Sequence, residues 1–136
     1  MIVSRAITHV VDLGCGDGNN ARYYSVKKYT GFDISPEAIL ICKEKFKGCR
    51  HYSFDCIDKN FCAKIADFDD LENSLCVSYD VIFHLVEDEY YNQYLEFIEQ
   101  IKSKYLLIYS TNFDAKGSQA HVRHRCFMPD LVRLGW

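Results

Sequence analysis

The segment His9–Gly18, reading HVVDLGCGDG, constrains the fold more than any other part of the chain. A run of apolar, β-branched residues runs into three alternating glycines, Gly14, Gly16 and Gly18. Such a run reads as a strand buried on both faces. Glycines directly after it let the backbone turn sharply and approach a ligand closely. A following helix start adds free N–H groups at the same place. A tight turn with no ligand also favours glycine, so the motif needs support from the rest of the chain.

That support is a repeated order of strand, turn and helix. The pattern predicts a helix over Asn19–Lys27 and a short strand over Tyr29–Phe32 that ends at Asp33. Ser35 offers an N-cap oxygen, Pro36 fits the first helical position and Glu37 suits the positive helix end. Ile39, Cys42 and Phe46 then form one apolar helix face, which Gly48 stops. His51–Phe54 reads as a third strand, closed by Asp55. Cys62–Leu75 is less distinct, because Ile65, Phe68 and Leu71 hint at a helix that the acidic run DFDDLE interrupts. Tyr79–Leu85 (YDVIFHL) reads as a fourth strand and Tyr105–Tyr109 (YLLIY) as a fifth. Between them Val86–Lys102 is the clearest helix. Glu87, Asp88 and Glu89 lie in its first turn, and Tyr90, Tyr94, Phe97, Ile98 and Ile101 line one side. Apolar strands alternating with helices imply a doubly wound α/β fold, with a mostly parallel sheet covered on both faces. Ligands in such sheets bind beyond the C-terminal strand edge, where the strand order switches. Asp12 to Gly18, Asp33 and Asp55 all fall at that edge.

Composition narrows the function. The 136 residues suit one domain over 1–136, and 49% hydrophobic residues supply a sizeable core. A formal charge of -3 creates no field that would draw nucleic acid or an acidic membrane. The local exception is His121–Arg125 (HVRHR). The seven cysteines are odd in number and form no CxxC pair, so they read as reduced thiols of a cytosolic protein. No apolar run approaches the ~20 residues of a membrane span. The chain is expected in the cytoplasm, with no bound metal.

The acids select among ligands. The spacing is GxGxG, and Asn19 stands where the third glycine of a dinucleotide fingerprint belongs. Asp12 precedes Gly14 by two residues, where a negative charge offers nothing to a pyrophosphate but attracts an ammonium or sulfonium. Asp33 can accept both ribose hydroxyls. Read without a ligand, Asp33 is a turn acid and Asp55 a surface acid. His84 is either a general base or a residue that merely closes its strand. His121, Arg123 and Arg125 share one face if extended and would receive a carboxylate or phosphate. Their other reading is as partners for the acidic helix start at Glu87–Glu89.

VVDLGCGDG, YTGFDISPEAI, YDVIFHLVEDEYYNQYLEFI and YLLIYSTN together resemble the class I S-adenosyl-L-methionine (SAM)-dependent methyltransferases, in particular small bacterial and viral methyltransferase-domain proteins. The resemblance runs over roughly residues 7–127. It implies Asp12, Gly14, Gly16 and Gly18 around the methionine part of the donor, with Cys15 also cofactor-binding. Asp33 would lie at the ribose, Asp55 with Cys56 near the adenine, and Ile34 elsewhere against the donor. His84 and Leu85 would sit beside the methyl-transfer centre, with His84 or Tyr90 as candidate base. The implied function is methyl transfer to a small molecule, helped mainly by positioning. The alternative is a catalytically silent SAM-binding or partner-binding domain. No NPPY-like tetrapeptide follows the fourth strand, where FHLV stands, so methylation of nucleic-acid bases is disfavoured.

The sequence departs from that family at its C-terminal end. Class I domains carry two further strands after the fifth, whereas 27 residues follow Tyr109 here. Phe127–Trp136 reads as the start of one more helix. The expectation is a sheet without its last two strands, shortened at the C-terminal end. YLLIY would then be an exposed edge that invites homodimer pairing.

Overall fold

Five strands form one parallel sheet in the order β3-β2-β1-β4-β5 in a computed structural model that describes residues 7–57 and 71–136. β1 spans His9–Leu13 and is buried along its whole length, as its apolar run predicts. β2 (Lys28–Asp33) and β3 (Tyr52–Cys56) extend the sheet to one side of β1, and β4 (Ser74–Tyr79) and β5 (Tyr105–Tyr109) to the other. The order therefore reverses between β1 and β4. Strand ends diverge at such a point and open a crevice at the C-terminal edge, where the glycine turn lies.

Helix α1 (Pro36–Lys45) starts as expected: the Ala38 N–H donates to Ser35 Oγ at 3.2 Å, and Pro36 follows the cap. Its Ile39 and Cys42 pack with Val10, Tyr29, Phe54 and Val77 on one sheet face. Helix α2 (Asp88–Ile101) and helix α3 (Met128–Arg133) cover Val11, Leu13, Phe32 and Cys76 on the other. Phe32 and Phe97 meet edge to face at 5.5 Å between centroids, the geometry the ring quadrupoles favour. No helix among the described residues is long and apolar enough to cross a membrane.

Three expectations are corrected. The helix over Asn19–Lys27 reduces to one 3-10 turn, Ala21–Tyr23. Tyr24 leaves it in an extended conformation and places its ring 5.8 Å from that of Tyr29. Tyrosines, Ser25 and Val26 have little helix propensity to resist that packing. The fourth strand is Ser74–Tyr79 rather than Tyr79–Leu85. Asp80 adopts φ 56 and ends the strand, and Ile82–His84 curl into a 3-10 turn. Buried serines hid this strand: Ser78 Oγ accepts from the Tyr94 hydroxyl at 2.9 Å and Ser74 Oγ from the Lys104 N–H at 3.4 Å. On α2, Tyr90 is 58% exposed while Tyr91 is 6% exposed, so Tyr91 lines the buried side in its place. Tyr90 thereby stands on the solvent face of the helix.

The third strand runs on through Asp55 to Cys56. The helical hint over Ile65 and Phe68 lies outside the described residues. β5 forms the sheet edge, with Leu107 46% and Tyr109 66% exposed. Two short strands, β6 (Ala115–Lys116) and β7 (Arg123–His124), pair antiparallel in a separate hairpin that packs on the Ile82–His84 turn.

Gly14 is required by the backbone and by its neighbour. Its φ is +81, and a Cβ built there would stand 2.3 Å from Val81 Cγ2. Gly14→Ala is therefore expected to lower stability by about 3 kcal/mol, from left-handed strain plus a core clash. The midpoint of a urea titration measures it.

Candidate functional site

The site begins where β1 gives way to the glycine turn. The Gly14 and Cys15 N–H groups both donate to the Phe32 carbonyl, at 2.7 and 3.0 Å, which binds the turn to the end of β2. The Gly16 N–H donates to Asp33 Oδ2 at 2.9 Å, and the Ser35 N–H donates to Asp33 Oδ1 at 2.9 Å. One carboxylate thus joins the turn to the start of α1 through two charge-assisted bonds. Gly16 has φ +54, and beyond its chain neighbours a Cβ there would meet none of the described residues within 4 Å. The space over this peptide is open.

A second brace comes from α1. The Cys42 thiol lies 3.1 Å from the Gly16 carbonyl. Lys45 Nζ donates to the Asp17 carbonyl at 2.8 Å and to Asn19 Oδ1 at 3.0 Å. The same ammonium holds the Asp17 carboxyl below the usual carboxylate range. Burial pushes the Cys15 and Cys76 thiols up, so both stay protonated and inert.

Asp12 is 2% exposed and accepts from the Tyr29 hydroxyl at 2.6 Å. Burial pushes its pKa up to about 6, against the Tyr29 hydrogen bond that lowers it, with the charge of Asp33 adding to the rise. A carboxylate held this way prefers either a proton or a cation beside it.

The remaining candidates lie along the same edge. Ile34, after Asp33, is 74% exposed. The Cys56 thiol lies 3.9 Å from the Ile34 carbonyl. Register pairs Asp33 with Cys56 and Phe32 with Asp55, so Cys56 shares the Asp33 face and Asp55 the opposite one. Lys43 Nζ lies 3.9 Å from Asp55. His84 sits in the turn beyond β4 instead of on the strand, exposed, with its ring parallel to that of His121 at 6.1 Å. Leu85 is half-buried against the α2 core, and its carbonyl accepts from Arg125.

The basic segment divides. Arg125 is buried, donating to Asp88 Oδ1 at 2.8 Å and to the carbonyls of Leu85 and Val86, with its guanidinium 4.5 Å over the Tyr91 ring. Arg123 donates to the same Asp88 oxygen at 2.9 Å and to the Val86 carbonyl. Of the two readings of these arginines, the contacts match the one that pairs them with the acidic helix start: the carbonyls of Leu85 and Val86 and the Asp88 carboxylate hold them. His121 stays on the exposed side. Both arginines together pull the Asp88 carboxyl below its ordinary value.

Four residues went unmarked by the sequence: Tyr29, Val81, Lys45 and His124. Each acts through a partner many positions away, which no local pattern announces. Among the described residues no cluster of histidine, cysteine or acid side chains could hold a metal ion.

A family model described as a methyltransferase domain matches residues 10–103. The chain belongs to the methyltransferase domain family. The match runs from β1 to the end of α2, and so includes the glycine turn, Asp33 and Asp55. The methyltransferase domain also superposes on solved structures. It covers 94% of its own length and 51% of the [4+2]-cyclase SpnF, at 14% identity and TM-score 0.68. For a SAM-dependent methyltransferase from Anabaena variabilis the shares are 74% and 43%, at 16% identity and TM-score 0.60. For the N-methyltransferase NodS from Bradyrhizobium japonicum, in complex with S-adenosyl-L-homocysteine, they are 72% and 48%, at 20% identity and TM-score 0.54. At these identities the likeness is one of fold. The chain spans about half the length of these structures or less. No curated protein sequence matches it.

Proposed function

We propose that this methyltransferase domain binds SAM across the glycine turn and passes its methyl group to a small-molecule acceptor. The observation that carries the reading is the open space over Gly16, bounded by the carboxylate that holds the turn. The residues present fit the donor. Asp12 offers buried negative charge toward a cationic amino-acid portion. Asp33 offers acceptors for ribose hydroxyls, and Ile34 and Cys56 offer apolar surface toward an adenine ring. Val81 closes against Gly14 from the β4 side. SAM, when bound, supplies an electrophilic methyl group on a sulfonium that departs as a neutral thioether. The chain's own part is to hold donor and acceptor in line and to exclude water between them. The proposed acceptor side is the turn carrying His84, at the same sheet edge.

Calorimetry with SAM and, separately, NAD tests the assignment. SAM is expected to bind, and Asp33→Ala to weaken it at least 30-fold by losing the ribose acceptor and loosening the turn together. Preference for NAD would overturn it. The exposed apolar edge at Leu107 and Tyr109 favours a second reading, a SAM-binding domain that acts through a partner, including a second copy. Release of S-adenosyl-L-homocysteine in the presence of an acceptor separates the two.

A further inference from the structure

We propose that His84, His121 and His124, with Phe83 and Phe113, form the wall that receives the methyl acceptor, and that this acceptor is an uncharged aromatic ring bearing an acidic hydroxyl. The inference rests on the reading that the neighbouring turn holds a methyl donor. Two stretches distant in sequence build the wall: the turn after β4, and the loop after β5 that continues into the β6–β7 hairpin. Phe83 lies 4.5 Å from His84 and 6.3 Å from His124, and Phe113 lies 5.0 Å from His124. His84 and His121 are nearly parallel at 13°. Thr111 Oγ1 meets His124 Nδ1 at 2.8 Å and so fixes that ring. The wall begins beside the donor crevice, because Val81, which packs on Gly14, directly precedes the His84 turn.

The chemistry of the wall selects the ligand. Arg123 and Arg125 are tied to Asp88, so these arginines are not turned toward an anion and this acid is not turned toward an ammonium. The five side chains of the wall offer aromatic carbon and imidazole, which suits a flat ring. Imidazole is the side chain that ordinarily takes up a proton near neutrality. A phenolic hydroxyl, with a pKa of about 10, lies within its reach; an aliphatic alcohol does not. As the ring oxygen gains the methyl group, its proton passes to an imidazole nitrogen and on to water.

The chain has five histidines, which makes the wall directly readable. Histidine-labelled full-length protein, saturated with S-adenosyl-L-homocysteine, is titrated with catechol and followed by the ring NMR signals. The signals of His84, His121 and His124 are expected to move together. His9, buried in β1, and His51, before β3 at the opposite sheet edge, are expected to stay in place. His121→Ala and Phe113→Ala, both at exposed positions, are expected to weaken catechol at least tenfold with the melting midpoint unchanged. Unmoved signals, equal movement of all five, or equal response to benzylamine or benzoate would overturn the inference. Failure of S-adenosyl-L-homocysteine to bind in calorimetry sinks the donor reading instead, and catechol titrated alone still tests the wall.

Discussion

Gly16→Leu is expected to abolish measurable SAM binding, at least a 100-fold loss, while the protein stays folded. The backbone at this position has φ +54, so any side chain costs about 1–2 kcal/mol of left-handed strain. Beyond its chain neighbours, no atom of the described residues stands within 4 Å of a Cβ there, so the leucine meets none of their core side chains at its root. It would fill the space proposed above for the donor. Gly14→Ala shows the opposite behaviour: its methyl group runs into Val81, and folding suffers first. Calorimetry and thermal melting on both variants separate the two roles. A Gly16→Leu protein that bound SAM normally would place the donor elsewhere.

Asp12→Asn is expected to stabilise the unliganded chain at pH 7 and to weaken SAM about tenfold. Asp12 is ionised at pH 7 in a buried position that raises its pKa from 3.8 to about 6. Folding therefore takes up a proton between those values, and this group's contribution to stability falls as pH rises through the window. The full cost at neutral pH is about 3 kcal/mol, at order-of-magnitude level. Asparagine removes it and still accepts from Tyr29. Urea titrations should thus show a stabilisation at pH 7 that vanishes near pH 4. A cationic donor favours the ionised carboxylate, so SAM affinity of the unaltered protein should rise with pH through about 6. Tyr29→Phe deletes the hydrogen bond that lowers the Asp12 pKa and should move that rise to higher pH. The residues around Asp12 that share in its titration are Tyr29 and Asp33, with Tyr24, Cys15 and Cys76 also feeling its charge. An Asp12→Asn protein with unchanged stability at every pH would show that burial does not strain this carboxylate.

Much of the fold was legible. β1, the N-capped helix after Asp33 and the helix from Asp88 carry local signals: a β-branched run, Ser35–Pro36, an acidic first turn. β4 was misplaced because Ser74 and Ser78 are polar residues satisfied by Tyr94 and Lys104, partners that periodicity does not reveal. The short turn at Ala21–Tyr23 was overestimated as a helix because tertiary packing of Tyr24 on Tyr29 overrode it.

By itself the sequence determined the alternation of parallel strands and helices, and with it the sheet edge at which Gly14, Gly16, Gly18, Asp33 and Asp55 gather. These follow from hydrophobic period and glycine placement, which act over a few neighbouring residues. Only the tertiary structure decided which groups are committed and which are open. It locked Arg123 and Arg125 onto Asp88, buried Asp12 against Tyr29, and left His84 and His121 exposed beside a half-buried His124. Charge pairing and burial depend on distances between segments tens of residues apart, and those distances exist only once the sheet has assembled.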